Sequence, residues 1–458
     1  MHLRQRGRDG FTVLAAAVLV AGVCLGGWWA LLGVAPALLM RAHARMVGVY
    51  VALAVVGGWL GANAWASAQP RQLGEYRGWA ELIVDPAPFG PGLRATVEIE
   101  GERFDAWLYG GQRRKLADAQ AGEYVWVEGR RSTFRSGARR AAVRHVVGRF
   151  TPSVIADVVD GSPLNRASNR VRRSLRAVAE STMSSDDAAL FTGLVIGDDA
   201  RQRVVVIEAF RGAGLSHLTA VSGQNVAFVL AAALPLLRRL RPWWRWAATV
   251  GLVAWFMALT RFEPSVLRAG VMAIFAATAF VRGAQASPVR LLSLAIIALV
   301  IVDPLLVWSV GFWLSVGATA GVCVAGPWLR VRLPGPGWLR LPLAVTLGAQ
   351  VGVVLPSVLV FHRLPIVSLP ANLLAVPVAG FVMLYGLPAG LVAASLPGPL
   401  AELVMLPAEW GSHWVALVAQ VGYTLEPAPK WSAACWLLTL TAWLLWWRLR
   451  ANPPLVPI

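Results

Sequence analysis

The sequence is poor in charged residues and in cysteine, and both shortages exclude classes of protein. Only 14% of the 458 residues are charged and 57% are hydrophobic, whereas soluble domains average about 25% charged and about 45–50% apolar residues. Cys24, Cys323 and Cys435 all lie in apolar segments and lack metal-ligand spacing. A soluble enzyme, a disordered tail and a disulfide-stabilised scaffold are therefore excluded. We expect a membrane protein with several spans.

Acidic residues are also scarce, with 24 Asp and Glu against 42 Lys and Arg, which gives a net charge of +18. This charge favours an anionic partner, either lipid headgroups or nucleic acid, although a high arginine content alone could produce it. The six histidines are scattered and form no metal-binding cluster. We therefore expect no metal, no cofactor and no catalytic residues.

The apolar segments predict the membrane topology. A spanning helix needs about 20 mostly apolar residues, and short cytoplasmic loops are enriched in Lys and Arg. Arginine-rich loops at 238–245, 282–290 and 330–340 are therefore assigned to the cytoplasm, and the poorer loops at 261–264, 303–304, 362–363 and 426–430 to the outside. The helices are predicted near 216–237, 246–260, 264–281, 290–303, 305–328, 341–361, 365–393, 400–421 and 431–447.

This alternation places the polar insertion 67–185 outside the cell. Because arginines near the start of the chain place the N-terminus inside, an odd number of crossings must precede the insertion. Three crossings fit if residues 11–40 form a tight hairpin that turns at Gly26 and Gly27. Two longer crossings would place the insertion inside, and we prefer the three-crossing interpretation.

The polar insertion predicts a small β-barrel followed by a helix. Alternating apolar residues and glycine-marked turns indicate five short strands, and residues 122–129 (GEYVWVEG) resemble a strand of an OB-fold. Apolar residues at helical spacing among arginines predict a basic amphipathic helix over 165–180. The predicted strands are 76–84, 94–100, 102–109, 123–128 and 141–149.

Strand alternation predicts exposed aromatic side chains on the barrel. If Val125 and Val127 fill the core, the aromatic residues beside them point outward, near many basic residues. OB-folds bind single-stranded nucleic acid through such a surface, by stacking and phosphate attraction. Packing of the aromatic residues on loops or lipid, with solvated arginines, explains the pattern equally well. The nucleic-acid-binding candidates are Trp107, Tyr109, Arg113, Arg114, Lys115, Tyr124, Trp126, Arg130, Arg131, Arg135, Arg139 and Arg140.

Polar residues cluster at the start of the predicted helix 216–237, namely His217, Ser222, Gln224 and Asn225. Such groups need partners or water within a bilayer. A serine-hydrolase pairing of Ser222 with His217 is disfavoured, because side chains five residues apart on a helix point about 140° apart and no carboxylate lies nearby. A helix-packing cluster and the polar lining of a conduit remain as alternatives.

Later spans contain further polar residues: Arg268, Gln350, Asn372, Glu402, Glu409, His413 and Gln420. Arg268 follows the predicted helix start by one turn, so snorkelling to the interface explains it about as well as pore lining does. Glu402, Glu409 and His413 share one helical face. They fit either a proton path or a hydrogen-bonded network between helices.

Several stretches follow one another in the order found in the ComEC family of competence proteins, which form the inner-membrane channel for DNA uptake in natural transformation. The chain resembles this family over about residues 186–380, and the HLTAVSG stretch is a specific match. The barrel fits the family's OB-like insertion better in position than in sequence. The stretches are 190–199 (LFTGLVIGDD), 217–223 (HLTAVSG), 264–270 (PSVLRAG), 303–304 (DP), 311–315 (GFWLS), 349–350 (AQ) and 372–377 (NLLAVP).

Pattern and resemblance together predict an all-α polytopic membrane protein of about twelve transmembrane helices. A small extracytoplasmic all-β OB-like domain is inserted after the third helix. The predicted division is 1–66 for the N-terminal transmembrane helices, 67–150 for the barrel, 151–214 for a linker with the basic amphipathic helix and membrane-surface helices, 215–447 for the channel domain and 448–458 for a cytoplasmic tail.

The resemblance implies a non-enzymatic channel in the bacterial cytoplasmic membrane that passes single-stranded DNA captured by the barrel. The implied partners are DNA, membrane lipid and separate nuclease, DNA-receptor and cytoplasmic motor proteins. A secondary transporter of a smaller solute is the alternative. The channel-core candidates are His217, Ser222, Gly223, Asn225, Arg268, Gln350 and Asn372.

The sequence departs from the family pattern at two points. Many members have His where this chain has Asn225, which puts the role of a second imidazole in doubt. Long members continue into a metallo-β-lactamase-like domain that is thought to degrade the strand that is not transported. The present sequence stops at Ile458 without that domain's His-x-His-x-Asp-His motif, so we expect another polypeptide to degrade that strand.

Overall fold

The computed structural model describes residues 2–26, 44–219, 222–361, 365–428 and, of residues 431–441, all but 433 and 440. These residues form a mostly helical structure with one small β domain near the N-terminus. The predicted tail 448–458, the predicted loop 362–363 and, of the predicted helix 431–447, residues 433, 440 and 442–447 lie outside the described residues.

Two N-terminal helices, α1 (His2–Leu25) and α2 (Ala44–Ser67), pack side by side in the same direction. The rings of Phe11 and Tyr50 lie 5.4 Å apart near one end, and Gly61 packs against the backbone of Val23 near the other. The helix α1 ends at Gly26, whose φ of 65° is left-handed and favours glycine. The second predicted turn residue, Gly27, lies outside the described residues.

The β domain is a closed ring of five strands with one short addition. The strands pair in the order β1–β5–β6–β4–β3, and β3 pairs again with β1; β2 adds to β3. All pairs are antiparallel except β4 with β6. A short helix α3 (Gly110–Leu116) joins β4 to β5, and α4 (Ala138–Ala142) joins β5 to β6. The strands are β1 (Gly74–Leu82), β2 (Ala87–Phe89), β3 (Gly92–Ile99), β4 (Glu102–Leu108), β5 (Tyr124–Ser132) and β6 (Val146–Val159).

The barrel core follows the predicted alternation, because Phe104, Val125 and Val127 are buried with the other inward residues. One strand prediction is wrong. Residues 141–149 begin as the short helix α4, and β6 starts only at Val146 and continues to Val159. The left-handed φ of Gly137 starts that helix and the left-handed φ of His145 ends the turn before β6; neither geometry is visible in an alternating pattern.

Beyond the barrel, α5 (Pro163–Thr182) and α6 (Ser185–Ile196) form a helical hairpin. The Ser162 hydroxyl accepts a hydrogen bond from the Asn165 backbone and caps α5, which corresponds to the predicted amphipathic helix. Surface helices were expected to follow. Their position at the membrane surface stays a prediction; the helix α6 itself is enclosed by other helices, with Phe191 0% exposed, because its apolar residues surround the helix and leave no polar face for water.

The remaining helices agree closely with the predicted spans, with two exceptions. The predicted helix 216–237 is broken before Gly223, and the start of the predicted helix 305–328 is a 3₁₀ turn (Pro304–Trp308). The Asp303 side chain accepts a hydrogen bond from the Leu305 backbone and caps that turn. The helices are α7 (Val204–Gly212), α8 (Ser216–Thr219), α9 (Gly223–Leu237), α10 (Pro242–Leu259), α11 (Pro264–Val281), α12 (Pro288–Val302), α13 (Val310–Arg332), α14 (Gly337–Phe361), α15 (Ser368–Ala393) and α16 (Gly398–Leu425).

Among the described residues, five helices are long and apolar enough to cross a membrane. Three shorter apolar helices, within α1, α9 and α12, accompany them. The molecule is therefore a multi-pass membrane protein, and the number of twelve crossings stays a prediction. The five are Met46–Ser67, Pro264–Val281, Val310–Arg332, Gly337–Phe361 and Ser368–Ala393.

Candidate functional site

A buried ion network holds the barrel on the helical domain. Asp85, in the loop after β1, lies 2.7 Å from Arg172 of α5 and 2.9 Å from Arg261, and it also accepts a hydrogen bond from the Ala121 backbone. Burial alone would raise the pKa of the Asp85 carboxyl, but the two guanidiniums outweigh burial and hold that pKa below its usual value. The carboxylate is therefore charged at neutral pH.

Arg172 also closes the ends of two helices. Its Nη1 donates to the carbonyl oxygens of Ile196 at 2.7 Å and Leu259 at 3.0 Å, which belong to the last residues of α6 and α10. Carbonyls at helix C-termini have no partner within the helix and carry partial negative charge. Both terminal nitrogens of the Arg172 guanidinium thus hold the barrel, α5, α6 and α10 together.

A second contact joins the barrel to the 3₁₀ turn. His145 Nε2 lies 2.9 Å from Asp303 Oδ2. Beside it, the Arg139 guanidinium lies 5.6 Å from the centre of the Trp65 ring of α2. Arg139 and Arg140, two of the nucleic-acid candidates, therefore lie at the junction with the membrane helices and not beside the barrel aromatics.

The outer surface of β1 and β5 is here called the neutral face, because its acidic and basic side chains lie opposite one another. Cross-strand partners on it are Glu75 with Arg130, Arg77 with Glu128, Trp79 with Trp126 and Glu81 with Tyr124. The Trp79 and Trp126 rings meet edge to face at 5.4 Å, and the Tyr124 hydroxyl donates to Glu81 at 3.2 Å. With three carboxylates and two guanidiniums, this face offers little attraction to phosphate.

The outer surface of β3, β4 and β6, here called the basic face, has the opposite balance. Trp107 lies between the ring of Phe89 at 6.4 Å and the guanidinium of Arg149 at 4.9 Å. Arg94 and Arg144 share a single carboxylate, Asp105, at 2.8 and 3.1 Å. Among the described residues, no carboxylate pairs with Arg149, so this face combines an aromatic platform with excess positive charge.

The candidate aromatic residues are therefore divided between two faces. Trp107 belongs to the basic face and Tyr109 follows it at the end of β4, packed on Gly92, whereas Tyr124 and Trp126 lie on the neutral face with Arg130. All four point away from the core, as the alternation predicts. They do not form one continuous surface, because β4 and β5 are not neighbours in the ring.

Among the basic candidates, Arg131 has no free charge. Its side chain points inward, pairs with Glu100 at 2.7 Å and lies over the Tyr76 ring; its role in nucleic-acid binding stays a prediction. Arg113 donates to the Pro91 carbonyl and Lys115 to the Ile155 carbonyl. Arg114 and Arg135 are exposed.

Within the helical domain, Arg268 of α11 is buried without a carboxylate partner. It is 6% exposed, and it donates to the Ser315 hydroxyl at 2.9 Å and to the Thr319 hydroxyl at 2.6 Å, both on α13. Among the described residues, no ion pair involves this guanidinium. It also passes Gly223 of α9, where an added Cβ would lie 3.2 Å from Nη2.

Next to this arginine, the start of α9 borders a small cavity. Ser222 donates to Asn225 at 3.1 Å, and Asn225 donates to the Leu194 carbonyl. His217 and Gln224 line the same cavity, which at about 20 Å³ has room for about one water molecule. His217, Ser222 and Asn225 thus line one cavity, whereas Gly223 faces Arg268 and neither of these two residues lines it.

Gln350 and Asn372 form a separate group around Ser368. Gln350 donates to the Ser368 hydroxyl and Asn372 to the Ser368 carbonyl, both at 2.7 Å. The Gln350 side-chain oxygen is buried without a partner among the described residues. These two candidates connect α14 to α15, and no hydrogen bond among the described residues joins them to the Arg268 group.

The acidic candidates on α16 contact α6. Glu409 accepts from the Ser184 backbone at 3.3 Å, and His413 lies 3.5 Å from Asp187. Glu402 and Gln420 are exposed. For the hydrolase alternative, no hydrogen bond in the described part of the chain joins Ser222 to His217.

Sequence reasoning missed three sets of residues. Ser315 and Thr319 stand four apart on an apolar helix, a spacing that places both hydroxyls on one face. The basic face also contains four arginines. Arg94, Arg103 and Arg149 point outward from their strands, as Trp107 does, and Arg144 follows α4. The Asp85 network left no local signal, because its members are at least 87 positions apart.

Comparison with known proteins identifies a family. The family model described as "Competence protein" matches residues 194–450, which is more than half of the chain and includes Arg268 and the start of α9. No solved structure matches the chain.

Three relatives are each 28% identical to this chain. They are ComE operon protein 3 of Bacillus subtilis (strain 168), over 60% of this chain and 36% of the relative; uncharacterized protein YcaI of Escherichia coli (strain K12), over 57% and 37%; and competence protein ComA of Neisseria gonorrhoeae, over 57% and 38%. The matched region thus spans little more than a third of these relatives.

Proposed function

Because this chain belongs to the competence protein family, we propose that it acts in DNA uptake for natural transformation, as a channel that passes single-stranded DNA across the bacterial cytoplasmic membrane. The observation that carries the proposal is the buried Arg268, whose hydrogen-bond acceptors among the described residues are two hydroxyls and a methionine sulfur inside the family-matched helices. One of its relatives is named competence protein ComA. The proposal extends that role to this chain.

A channel for a polyanion needs positive charge that is not already neutralised. The guanidinium of Arg268 has partners that satisfy its N–H groups and leave its charge uncompensated. The neighbouring polar groups at the start of α9 supply further donors and acceptors. Because the cavity beside them holds about one water molecule, passage of a strand requires α9, α11 and α15 to separate.

The β domain is proposed to be OB-like. In an OB-fold, five strands close into a small Greek-key barrel. The ring order and the single parallel pair between β4 and β6 support this assignment, and the helix α3 lies between β4 and β5.

DNA capture is assigned to the basic face of this barrel. A base can stack on Trp107 while the backbone phosphates meet Arg149, Arg94 and Arg144, which is how OB-folds hold single strands. The neutral face has comparable aromatic residues but no excess of positive charge. Binding on the basic face should weaken steeply as salt rises, because phosphate contacts release counterions.

The barrel is proposed to lie outside the cell. It contacts Arg261 and Asp303, in the loops with few arginines. Asp9 of α1 pairs with Arg290 at the other end of α12, near the arginine-rich loop 282–290 that the charge rule assigns to the cytoplasm. The parallel packing of α1 and α2 supports three crossings before the barrel.

The channel is proposed to act without catalysis of its own. The resemblance implies that a separate nuclease removes the second strand, that a DNA receptor delivers the duplex and that a cytoplasmic motor pulls the strand. These partners, like the substrate, are part of the proposal.

A gene deletion with separate assays of DNA binding and DNA entry tests this function. We expect entry of labelled DNA to be lost while surface binding persists, and the complete chain to restore entry. Restoration by Arg268→Met would count against the channel role, whereas Arg330→Met removes an exposed arginine from the end of α13 and serves as the matched control. Unchanged entry after deletion would contradict the function itself.

A proton-coupled transporter of a smaller solute is the second candidate. The observation that favours it is the titratable group of Asp187 and His413 between α6 and α16. Asp187→Asn with His413→Gln would abolish a proton-coupled activity. DNA entry that continues at the normal rate in this double variant would separate the two functions.

A further inference from the structure

A cavity of about 440 Å³ lies where the barrel meets the ends of α1 and α2. Its walls come from three parts of the chain: the last turn of α1, the last turns of α2 with Trp65, and the barrel helix α4 with Arg139 and Arg140. Trp308 of the 3₁₀ turn closes one side. None of these residues belongs to the basic face or to the group around Arg268.

The part of the cavity between the two helices is apolar. Val23 and Leu25 of α1 face Gly61 and Ala62 of α2, and the helices touch closely where Gly61 meets the Val23 backbone. Near this groove the helices present apolar side chains outward, with Leu25 46% and Trp59 65% exposed. On a membrane-spanning pair, such a surface faces lipid chains.

The part next to the barrel is aromatic and cationic. The Trp65 and Trp308 rings meet edge to face at 5.0 Å, and tryptophan is enriched where membranes meet water. Arg139 lies over the Trp65 ring. Neither Arg139 nor Arg140 has an ion pair among the described residues, whereas nearby Arg144 is paired with Asp105. No acidic residue in the described part of the chain lines the cavity.

We propose that this cavity binds a membrane phospholipid with an anionic headgroup. The phosphate would contact Arg139 and Arg140, and an acyl chain would lie along the groove between α1 and α2. A nucleic acid fits less well, because the surface below the two arginines is apolar and leads toward lipid. The bound lipid would connect the barrel to the membrane helices beside the His145–Asp303 contact. This inference does not depend on DNA uptake.

The test measures lipid retained by the purified full chain in mild detergent, by native mass spectrometry. Phosphatidylglycerol and phosphatidylcholine with the same acyl chains are offered in equal amounts. We expect the chain to prefer phosphatidylglycerol by about tenfold, because both lipids carry a phosphate but only phosphatidylcholine neutralises it with its own ammonium group, which leaves the two arginines less attraction for that lipid. Arg139→Gln with Arg140→Gln should remove the preference. Arg113→Gln with Arg114→Gln removes two adjacent arginines from α3 and should leave the preference intact.

A third variant distinguishes binding of a whole lipid from binding of a phosphate group alone. Ala62→Phe fills the groove and leaves both arginines in place, so it should lower phosphatidylglycerol retention. Unchanged retention in this variant, together with displacement of the lipid by a single-stranded oligonucleotide, would overturn the proposal in favour of nucleic acid. Equal retention of the two lipids by the unsubstituted chain would also overturn it, and that measurement does not depend on any variant folding.

Discussion

Arg172 and Arg268 are both buried, 1% and 6% exposed, but their partners differ. Arg172 pairs with the Asp85 carboxylate and closes two helix ends. Among the described residues, Arg268 donates to the hydroxyls of Ser315 and Thr319 and to a methionine sulfur, and no carboxylate pairs with it. The first charge is neutralised within the fold, and we propose that the second meets a ligand.

This difference separates a structural arginine from one that we propose to be functional. Removing one partner of a buried ion pair leaves the other charge unpaired and costs about 3–5 kcal/mol, whereas replacing buried charge with an apolar residue of similar volume is often neutral. The predictions below use this contrast, first between the two arginines and then between regions of the barrel.

The largest effect is expected for Asp85→Ala. It leaves Arg172 and Arg261 buried without their shared carboxylate, so the free energy of unfolding should fall by about 3–5 kcal/mol. Chemical denaturation of the purified chain in detergent measures this change. Asp118→Ala, which removes a carboxylate that is 92% exposed, is the control and should change stability by less than about 0.5 kcal/mol. Equal effects would show that the network does not hold the fold.

Lowering the pH should remove the stabilisation that the Asp85 carboxylate provides. Because the folded-state pKa of Asp85 is below its unfolded value, the stabilisation is fully present above the unfolded pKa, near about 4. It is lost as pH falls through the folded pKa. The difference in unfolding free energy between the unsubstituted chain and Asp85→Ala should therefore shrink below about pH 4. A difference independent of pH would contradict the assignment.

For Arg268→Met we expect a small change in stability and a large loss of DNA entry. Stability should change by less than about 1.5 kcal/mol, since no carboxylate is left unpaired. DNA entry should fall at least about tenfold, since a hydrogen bond to a charged group contributes about 1.5–3 kcal/mol. Denaturation of the purified variant and entry of labelled DNA into cells measure the two quantities. A loss of stability as large as that of Asp85→Ala would make Arg268 a structural residue instead.

The variants Trp107→Ala and Trp126→Ala test which face of the barrel binds single-stranded DNA. Loss of the Trp107 platform should weaken binding of a single-stranded oligonucleotide by about 1–3 kcal/mol, as measured by fluorescence anisotropy with the full chain. Trp126→Ala removes an equal ring from the neutral face and is the control. Equal losses, or a larger loss for Trp126→Ala, would contradict the choice of face.

The smallest effect is expected for His145→Ala. Its contact with Asp303 is partly exposed, and exposed pairs contribute about 0–1 kcal/mol. Denaturation should therefore reveal a change several times smaller than that of Asp85→Ala. A comparable loss would mean that the second barrel contact holds the domains together as strongly as the first.

Local patterns predicted much of this molecule. Strand alternation gave the inward positions of Val125 and Val127, and apolar length gave helices such as α11 and α15 within a few residues. Both depend on neighbours in sequence. Arg131 has the same parity as Val125 and Val127 and is buried like them, but its partner Glu100 lies outside β5, and strand alternation does not reveal such a partner.

Nonlocal pairing could not be predicted in the same way. The basic face exists because β4 pairs with β6 and brings Asp105 beside Arg149, and no periodicity reveals which strands become neighbours. The separation of Trp107 from Trp126 follows from the same ring order. The family match marked Arg268 as a candidate, but its hydroxyl partners on α13 emerged only from helix packing.

The most direct test is site-specific photocrosslinking during DNA uptake. A photoreactive residue replaces Ser222, beside Arg268 and the small cavity, and Val324, 65% exposed on α13, serves as the lipid-facing control. A strand that passes between these helices should crosslink at position 222 and not at position 324, and only while uptake proceeds. Crosslinking at neither position, or equally at both, would contradict passage of DNA through this domain.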